Sequence, residues 1–400
     1  MVETAPSSLH TLTAFDAELA KARRDIDALQ AIASRNALDL EKRARLAYRQ
    51  FHLASLTGME SNFKLTNQTI VDAIRDFGPK EDICLLKANL DSRFHRPQEV
   101  KQDLQMCPAL AKRFAGRSIL ADVDFQEGRY EEAQAAWEGL IQERRTWDNL
   151  ARLAHFKGKM GDVEEADRLY VEAENELTAK EMRAFAWMEL QRGVLAMSRG
   201  KFEIARAHYD RASSSYSGHW HIDEHIAELL AAEEQFDEAI ALLESVVSRA
   251  PKPELKQAFG DLLSFLGRTD EAQPWFNAAL ADYLQSVREG GVHYYHHLAD
   301  FYADAGRQPA EAVKWARKDI ALRCNFSTQS ALAWALFQNG EIEEGVEYIK
   351  RALSSGAQDG GIFGTAAALF AGQGDSAASQ RMANAAAQIN PHGHSFHMHH

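Results

Sequence analysis

The stretch Gly128-Arg-Tyr-Glu-Glu-Ala133-Gln-Ala-Ala-Trp137 recurs along the chain and decides its fold. Most copies have a glycine first, a small residue five positions later and a bulky residue nine positions later. The first positions of the eight copies are Gly128, Gly161, Gly200, Glu234, Gly267, Gly306, Gly340 and Gly374. Successive first positions are 33 to 39 residues apart. A period near 34 residues predicts helical hairpins, with each first position at the turn between two helices.

The chain divides around these copies into three regions. Residues 1–110 form a divergent helical region with a cap, 111–391 hold the clear repeats, and 392–400 are a histidine-rich tail. Apolar spacings of three and four residues, with glycines and prolines at the ends, predict five helices in the first region. These helices cover 8–33, 38–57, 62–77, 82–94 and 97–106. Divergent hairpins are expected at the end of a repeat array, because an end unit must present a polar outer face.

The phrase Gly-x-Tyr-x-x-Ala and the segment Ala386-Ala-Gln-Ile-Asn-Pro391 resemble the tetratricopeptide repeat, over about 115–391. The resemblance implies an all-α, right-handed superhelical solenoid of antiparallel helix hairpins. About eight clear repeats would follow the divergent N-terminal hairpins. The first helix of each repeat would line a concave groove that binds a partner protein or peptide.

The chain departs from this family pattern at several places. Two spacings of 39 residues predict longer helices or loops near 175–183 and 283–292. Glu234 replaces a turn glycine, and the copy at Gly306 has one extra residue before Ala312. A small residue seven positions before each turn, such as Ala121, is expected to let the two helices of a hairpin approach closely.

The composition limits the classes of partner. The formal net charge of -13 argues against nucleic acid, whose binding requires clustered Lys and Arg, and leaves metal ions, cationic ligands and basic partners open. No run of 18 apolar residues predicts a membrane span. The segment 1–8 lacks the features of a signal peptide, which favours the cytoplasm. A start methionine placed on a processed exported chain would give the same pattern.

The sequence predicts neither a cysteine-based site nor any of several common catalytic chemistries. Cys84, Cys107 and Cys324 show no C-x-x-C spacing, so we expect three buried free thiols and neither a disulfide framework nor a thiolate zinc site. Motifs for nucleotide, dinucleotide, serine-hydrolase and haem chemistry are missing from the sequence.

Most of the sixteen histidines fall into three clusters. The clusters contain His219, His221 and His225; His293, His296 and His297; and His392, His394, His397, His399 and His400. His221 and His293 each lie 13 residues before a turn position, and His225 and His297 lie nine before. Equivalent first helices therefore each carry a histidine pair one helical turn apart, a spacing that can chelate one ion. His52, His95, His155 and His208 stand alone in the sequence and are expected to be ordinary surface or core residues.

Carboxylates extend the same predicted groove surface. They are Glu224, Glu228, Glu254, Asp261 and Asp300. Imidazole combined with carboxylate, without thiolate, suits a divalent transition metal such as Zn, Ni, Cu or Fe. The two histidine pairs belong to non-adjacent repeats and should lie roughly 20 Å apart, too far for one ion. Two separate sites, or one pair completed by the C-terminal tail, are geometrically easier.

Three functions remain open. The favoured one is a non-enzymatic scaffold whose groove binds a protein or peptide, with a divalent metal bound by groove histidines and the tail. A second is a metal-dependent hydrolase, because His221, Glu224 and His225 match H-x-x-E-H, with Glu224 as general base. A third is an assembly adaptor that binds no metal.

Overall fold

The computed structural model describes residues 12–33 and 39–398, and all regular secondary structure in them is helical. The helices are α1 Ala14–Ala33, α2 Leu40–Thr57, α3 Glu60–Phe77, α4 Glu81–Arg93, α5 Pro97–Met106, α6 Pro108–Ala111, α7 Phe114–Gln126, α8 Tyr130–Glu143, α9 Trp147–Lys159, α10 Val163–Asn175, α11 Met182–Met197, α12 Phe202–Ser215, α13 Trp220–Ala232, α14 Phe236–Arg249, α15 Pro253–Phe265, α16 Thr269–Arg288, α17 Tyr295–Ala303, α18 Pro309–Leu322, α19 Phe326–Gln338, α20 Ile342–Ser354, α21 Gly360–Gly372 and α22 Ser376–Ile389. The all-α prediction is confirmed for this part of the chain. Within it, every helix is too short or too polar to cross a membrane.

From α7 onward the helices pack as successive hairpins, each with its turn at a predicted first position. Small residues explain how closely the two helices of a hairpin approach. A Cβ added to Gly193 would come within 2.2 Å of the Tyr209 ring, and one added to Gly260 within 2.6 Å of Phe276. Each ring lies nine residues after its turn, so the bulky ninth residue packs against the small residue of the preceding helix.

The irregular copies keep the turn geometry in different ways. Glu234 adopts φ 62, the left-handed conformation that glycine favours and that the other turns use. In the copy with the extra residue, the left-handed residue is Arg307 (φ 44) rather than Gly306. The longer spacings are taken up by α11, with 16 residues, and by α16, with 20.

The array winds back on itself, so that residues about 200 positions apart touch. Four hydrogen bonds show this: Asn325 Nδ2 to Gln126 Oε1 (3.2 Å, separation 199), Phe326 N to the Tyr130 hydroxyl (2.7 Å, separation 196), Arg96 Nη2 to the Gly290 carbonyl (3.1 Å, separation 194) and Gln358 N to the Lys159 carbonyl (2.9 Å). Early helices therefore cover faces of later ones. The repeat period alone did not predict this contact.

The cysteine prediction is wrong in two respects. Cys84 on α4 and Cys107 between α5 and α6 are joined by a disulfide across a sequence separation of 23. Cys324 is exposed, not buried. A C-x-x-C spacing is unnecessary here, because the α4–α5 hairpin brings the two sulfurs together.

Candidate functional site

Most of the predicted groove residues lie on the first helices of three successive hairpins, α13, α15 and α17. The prediction that His293 and His297 pair on one helix is wrong, because α17 begins only at Tyr295. His219 immediately precedes α13, which carries His221, Glu224, His225 and Glu228; α15 carries Glu254 and Asp261; and His293 lies just before α17, which carries His296, His297 and Asp300. We call the faces of α13, α15 and α17 that carry these residues the inner face.

His221, His225 and their neighbouring carboxylates form what we call the α13 histidine group. His221 Nδ1 lies 3.0 Å from Glu224 Oε2, and His225 Nδ1 lies 3.3 Å from Glu228 Oε2. The two ring centroids are 4.9 Å apart. Each carboxylate comes three residues after its histidine on the helix, so it fixes the orientation of that ring and leaves Nε2 on the opposite side. Glu224 is thus placed to orient His221.

The C-terminal tail lies on this group. The Met398 N–H donates to Glu228 Oε1 at 3.1 Å, and His397 Nδ1 lies 3.9 Å from the same oxygen. Phe396 packs edge-on against Phe265 at 5.5 Å, and Phe396 and Met398 are only 4% and 6% exposed. The Nε2 atom of His397 is buried and has no hydrogen-bond partner among the described atoms.

The other tail histidines lie elsewhere. His392 packs on Phe202 at 4.9 Å and is 6.3 Å from His394, and both imidazoles are exposed. His399 and His400 lie outside the described residues. Of the five tail histidines, the structure therefore brings His397 alone, among those it describes, to the inner face.

An acidic zone lies between the two groove histidine pairs. Burial and the nearby carboxylates of Glu254, Asp261 and Asp300 raise the pKa of Tyr283 well above its usual value. The Tyr283 ring stacks on His297 with centroids 5.6 Å apart and planes within 10°. The three predicted carboxylates therefore lie around one buried tyrosine.

A second set of imidazoles, which we call the α17 histidine group, contains one member, His95, that was expected to be an ordinary surface or core residue. The group consists of His95, His293, His296 and His297. His296 lies 4.0 Å from His297 and 5.7 Å from His95, measured between ring centroids. His293 packs on Phe94 at 4.9 Å. His95 is brought here by the winding of the array, and no local sequence signal connects it to α17.

Two further histidines, His219 and His208, are packed among protein side chains. Burial, and next the proximity of His221, lower the pKa of His219 to about 3. His208, expected to be an ordinary residue, is buried with Nδ1 2.9 Å from Glu189 Oε2. Over the described ranges, no group of three or more His, Cys, Asp or Glu side chains has the arrangement of a preformed metal site.

Comparison with known proteins gave no further guide to this site. The sequence matches no protein-family model, and no curated protein sequence is significantly similar to it.

Proposed function

We propose that the protein is a non-enzymatic binding scaffold whose inner face takes up an extended peptide segment. We further propose that a divalent transition metal (Zn, Ni, Cu or Fe) fastens that segment through His221, His225 and His397. The array would be a right-handed superhelix of the tetratricopeptide type, acting in the cytoplasm on a protein or peptide partner and not on nucleic acid.

The docked tail is the observation that carries this proposal. Phe396 and Met398 are buried while His397, between them, is half-buried. This alternation is that of an extended segment that binds through every second side chain. Glu228 accepts the Met398 N–H, so a backbone group of the segment is also recognised. A partner segment with the same alternation would compete with the tail for this surface.

The charges around the α13 histidine group favour a metal cation. Glu224 and Glu228 supply negative charge beside two imidazoles, and the unpaired Nε2 of His397 adds a third imidazole donor. Imidazole and carboxylate are common ligands of these metals. Because the described residues contain no preformed site, binding would require these side chains to turn toward the ion.

The metal is tested by titrating untagged protein with zinc in a calorimeter at pH 7.5. We expect saturable binding that weakens at least tenfold in His397→Ala and is lost below about pH 6, where imidazole becomes protonated. His394→Ala, in the exposed part of the same tail, is the matched control and should bind zinc normally. Absence of tight binding, or equal binding in both variants, would refute the metal clamp.

The peptide surface is tested with a labelled peptide of residues 390–400 and a chain that ends at residue 391. Fluorescence anisotropy should show that the shortened chain binds the peptide, whereas the full chain does not because its own tail occupies the surface. A peptide with Phe396→Ala and Met398→Ala should bind at least tenfold more weakly. If the unaltered peptide fails to bind a folded shortened chain, the proposed surface is wrong.

The proposed location has its own test. Disulfides persist mainly in oxidising compartments, so a stable Cys84–Cys107 bond in protein isolated from its native cells would favour an exported protein over a cytoplasmic one. Fractionation of those cells, with thiol trapping during lysis, measures both properties together.

A further inference from the structure

We propose that the α17 histidine group, with Arg93 and Arg323, is a binding site for a small oxyanion, a molecule bearing a phosphate or a carboxylate group. This site is separate from the α13 histidine group, and the inference does not depend on the proposed peptide and metal binding.

Two buried ring nitrogens are available to hydrogen-bond a ligand. His293 Nδ1 and His296 Nδ1 are both buried, and neither has a hydrogen-bond partner among the described residues. Buried polar atoms in folded proteins nearly always have a partner. Two such atoms in one cluster of imidazoles are therefore poised to hydrogen-bond a molecule that enters the cluster. A neutral imidazole can donate one N–H to an oxyanion.

The charges that surround the cluster select an anion. Arg323 and Arg93 are close enough to His95 to help lower its pKa, an effect led by burial. Arg323 acts in the same way on His296, after burial and His297. A divalent cation placed here would be repelled by the same guanidinium groups. Carboxylates also lie near this group, because Glu254, Asp261 and Asp300 surround Tyr283, whose ring stacks on His297. The anion is therefore placed at the His95 and His296 imidazoles, beside the guanidinium groups.

Arg93 has the freedom to bind an anion. Its guanidinium carbon lies 5.2 Å from the centroid of the Phe63 ring, and within the described residues it forms no ion pair. Arginine presents a planar set of N–H donors that matches the two oxygens of a carboxylate or phosphate. Arg323, in contrast, is tied to Asp319 at 3.1 Å and contributes mainly its charge.

The site is built across two parts of the array. His95 follows α4 and is held in the left-handed region at φ 57, whereas His293, His296 and His297 belong to the start of α17. The Arg96 guanidinium donates to the Gly290 carbonyl at 3.1 Å and fixes the two parts beside each other. A bound anion would bridge them and so stabilise the winding of the array.

The test is calorimetric titration of the full chain with inorganic phosphate and, in a second arm, with succinate. We expect saturable binding of one or both, which shows whether phosphate or carboxylate is preferred. Binding should weaken at least tenfold in Arg93→Gln and in His95→Asn, since asparagine tolerates the left-handed backbone but lacks the ring. Arg144→Gln is the matched control, because Arg144 also stacks on a phenyl ring, that of Phe114 at 3.9 Å, but lies away from the cluster.

Circular dichroism and melting temperature establish that each variant is folded. If Arg93→Gln does not fold, His95→Asn decides the outcome. The proposal is overturned if neither anion binds saturably, or if Arg93→Gln and Arg144→Gln bind equally well. It is also overturned if zinc, rather than either anion, binds to the full chain and is lost in His296→Asn, which would restore these histidines as metal ligands.

Discussion

Gly128, the first residue of the recurring stretch, meets two separate requirements. Its φ is 79, in the region that disfavours side chains, and a Cβ there would lie 2.5 Å from the carbonyl oxygen of Cys324. Gly340 occupies the equivalent turn of a later hairpin with the same φ of 79, but nothing lies within 4 Å of its missing Cβ. Gly128 is therefore needed both for the turn and for the close contact with Cys324. Gly340 is needed for the turn alone.

These two glycines make a matched pair of substitutions. Gly340→Ala should lower the free energy of unfolding by about 1–2 kcal/mol, the cost of a left-handed alanine. Gly128→Ala should cost about 1–3 kcal/mol more, because the added methyl group must also displace a backbone carbonyl. Urea unfolding followed by circular dichroism measures both losses. Equal losses would show that the contact with Cys324 does not persist in solution.

The cysteines give a second residue-scale prediction. Native protein should react with a thiol reagent at Cys324 alone, since Cys84 and Cys107 are joined across 23 residues. Reduction should lower the free energy of unfolding by about 3 kcal/mol, the loop-closure value for this separation. Cys324→Ser should leave that difference unchanged, because its side chain is exposed. Three reactive thiols in the protein as isolated would contradict the pairing.

Local and periodic features could be predicted at this scale, and long-range neighbours could not. The turn at Glu234 was placed by counting, although its residue type gave no turn signal. His95 was dismissed because its nearest histidine in the α17 group lies about 200 positions away. Cys84 and Cys107 were misread because a hairpin, rather than a short sequence spacing, brings them together.

At the scale of the element, the predicted helix α1 packs against the distant segment 216–219. Its N–H at Phe15 donates to the Ser217 carbonyl at 3.1 Å, and Phe15 packs edge-on against His219 at 5.1 Å. Glu18 accepts one hydrogen bond from the Tyr216 hydroxyl, and its Oε1 atom lies 3.1 Å from His52 Nε2. The apolar spacing of α1 predicted a helix, but the partner was hidden because this region lacks the repeat pattern.

Glu18 should control the docking of α1 in a pH-dependent way. The hydrogen bond with His52, followed by that with Tyr216, outweighs burial and lowers the pKa of Glu18 to about 2. A carboxyl with a lowered pKa stabilises the fold above its ordinary pKa, and this contribution is lost as pH falls from about 4.5 toward 2. Glu18→Gln should therefore increase hydrogen exchange in residues 14–33 at pH 7. Asp27→Asn, on the exposed face of the same helix, should not, and equal exchange in both variants would contradict the role of Glu18.

The same limit on prediction holds for the site as a whole. Repeat phase predicted which residues lie on the first helices, and this holds for the carboxylates and for His221, His225, His296 and His297, but not for His293, which precedes α17. The position of a residue within its repeat does not predict which distant helix covers that surface. The covering helix depends on how far the array turns per repeat. The winding adds Arg93 and His95 to one end of the inner face, and the tail adds His397 to the other. Two histidine groups of similar sequence thereby acquire different neighbours, since the guanidinium groups of Arg93 and Arg323 lie near the α17 histidine group.

For the whole molecule, histidines with lowered pKa values should make the free energy of unfolding sensitive to mild acid. Burial is the leading cause that lowers the pKa of His155 to about 4 and of His293 to about 3. The other members of this set, His95, His219 and His296, are shifted in the same direction. All five are then neutral in the folded chain at pH values where an unfolded chain would protonate them. Because the unfolded state binds more protons in this range, stability must fall as pH decreases from about 6.5 toward 4.

The expected loss of stability at acid pH corresponds to a number of protons taken up on unfolding. The urea midpoint should be nearly constant above about pH 7 and then fall, with a slope equivalent to on the order of three protons taken up on unfolding. His296→Asn should reduce this slope by about one proton, because its Nδ1 atom is buried and its pKa is lowered. His394→Asn, in the exposed tail, should leave it unchanged. Because His95, His293 and His296 lie where two parts of the array meet, hydrogen exchange at pH 5 should rise first in the segment after α4 and at the start of α17. A urea midpoint that does not change between pH 7 and pH 5 would mean that these imidazoles are open to water, and that the array does not wind closely on itself.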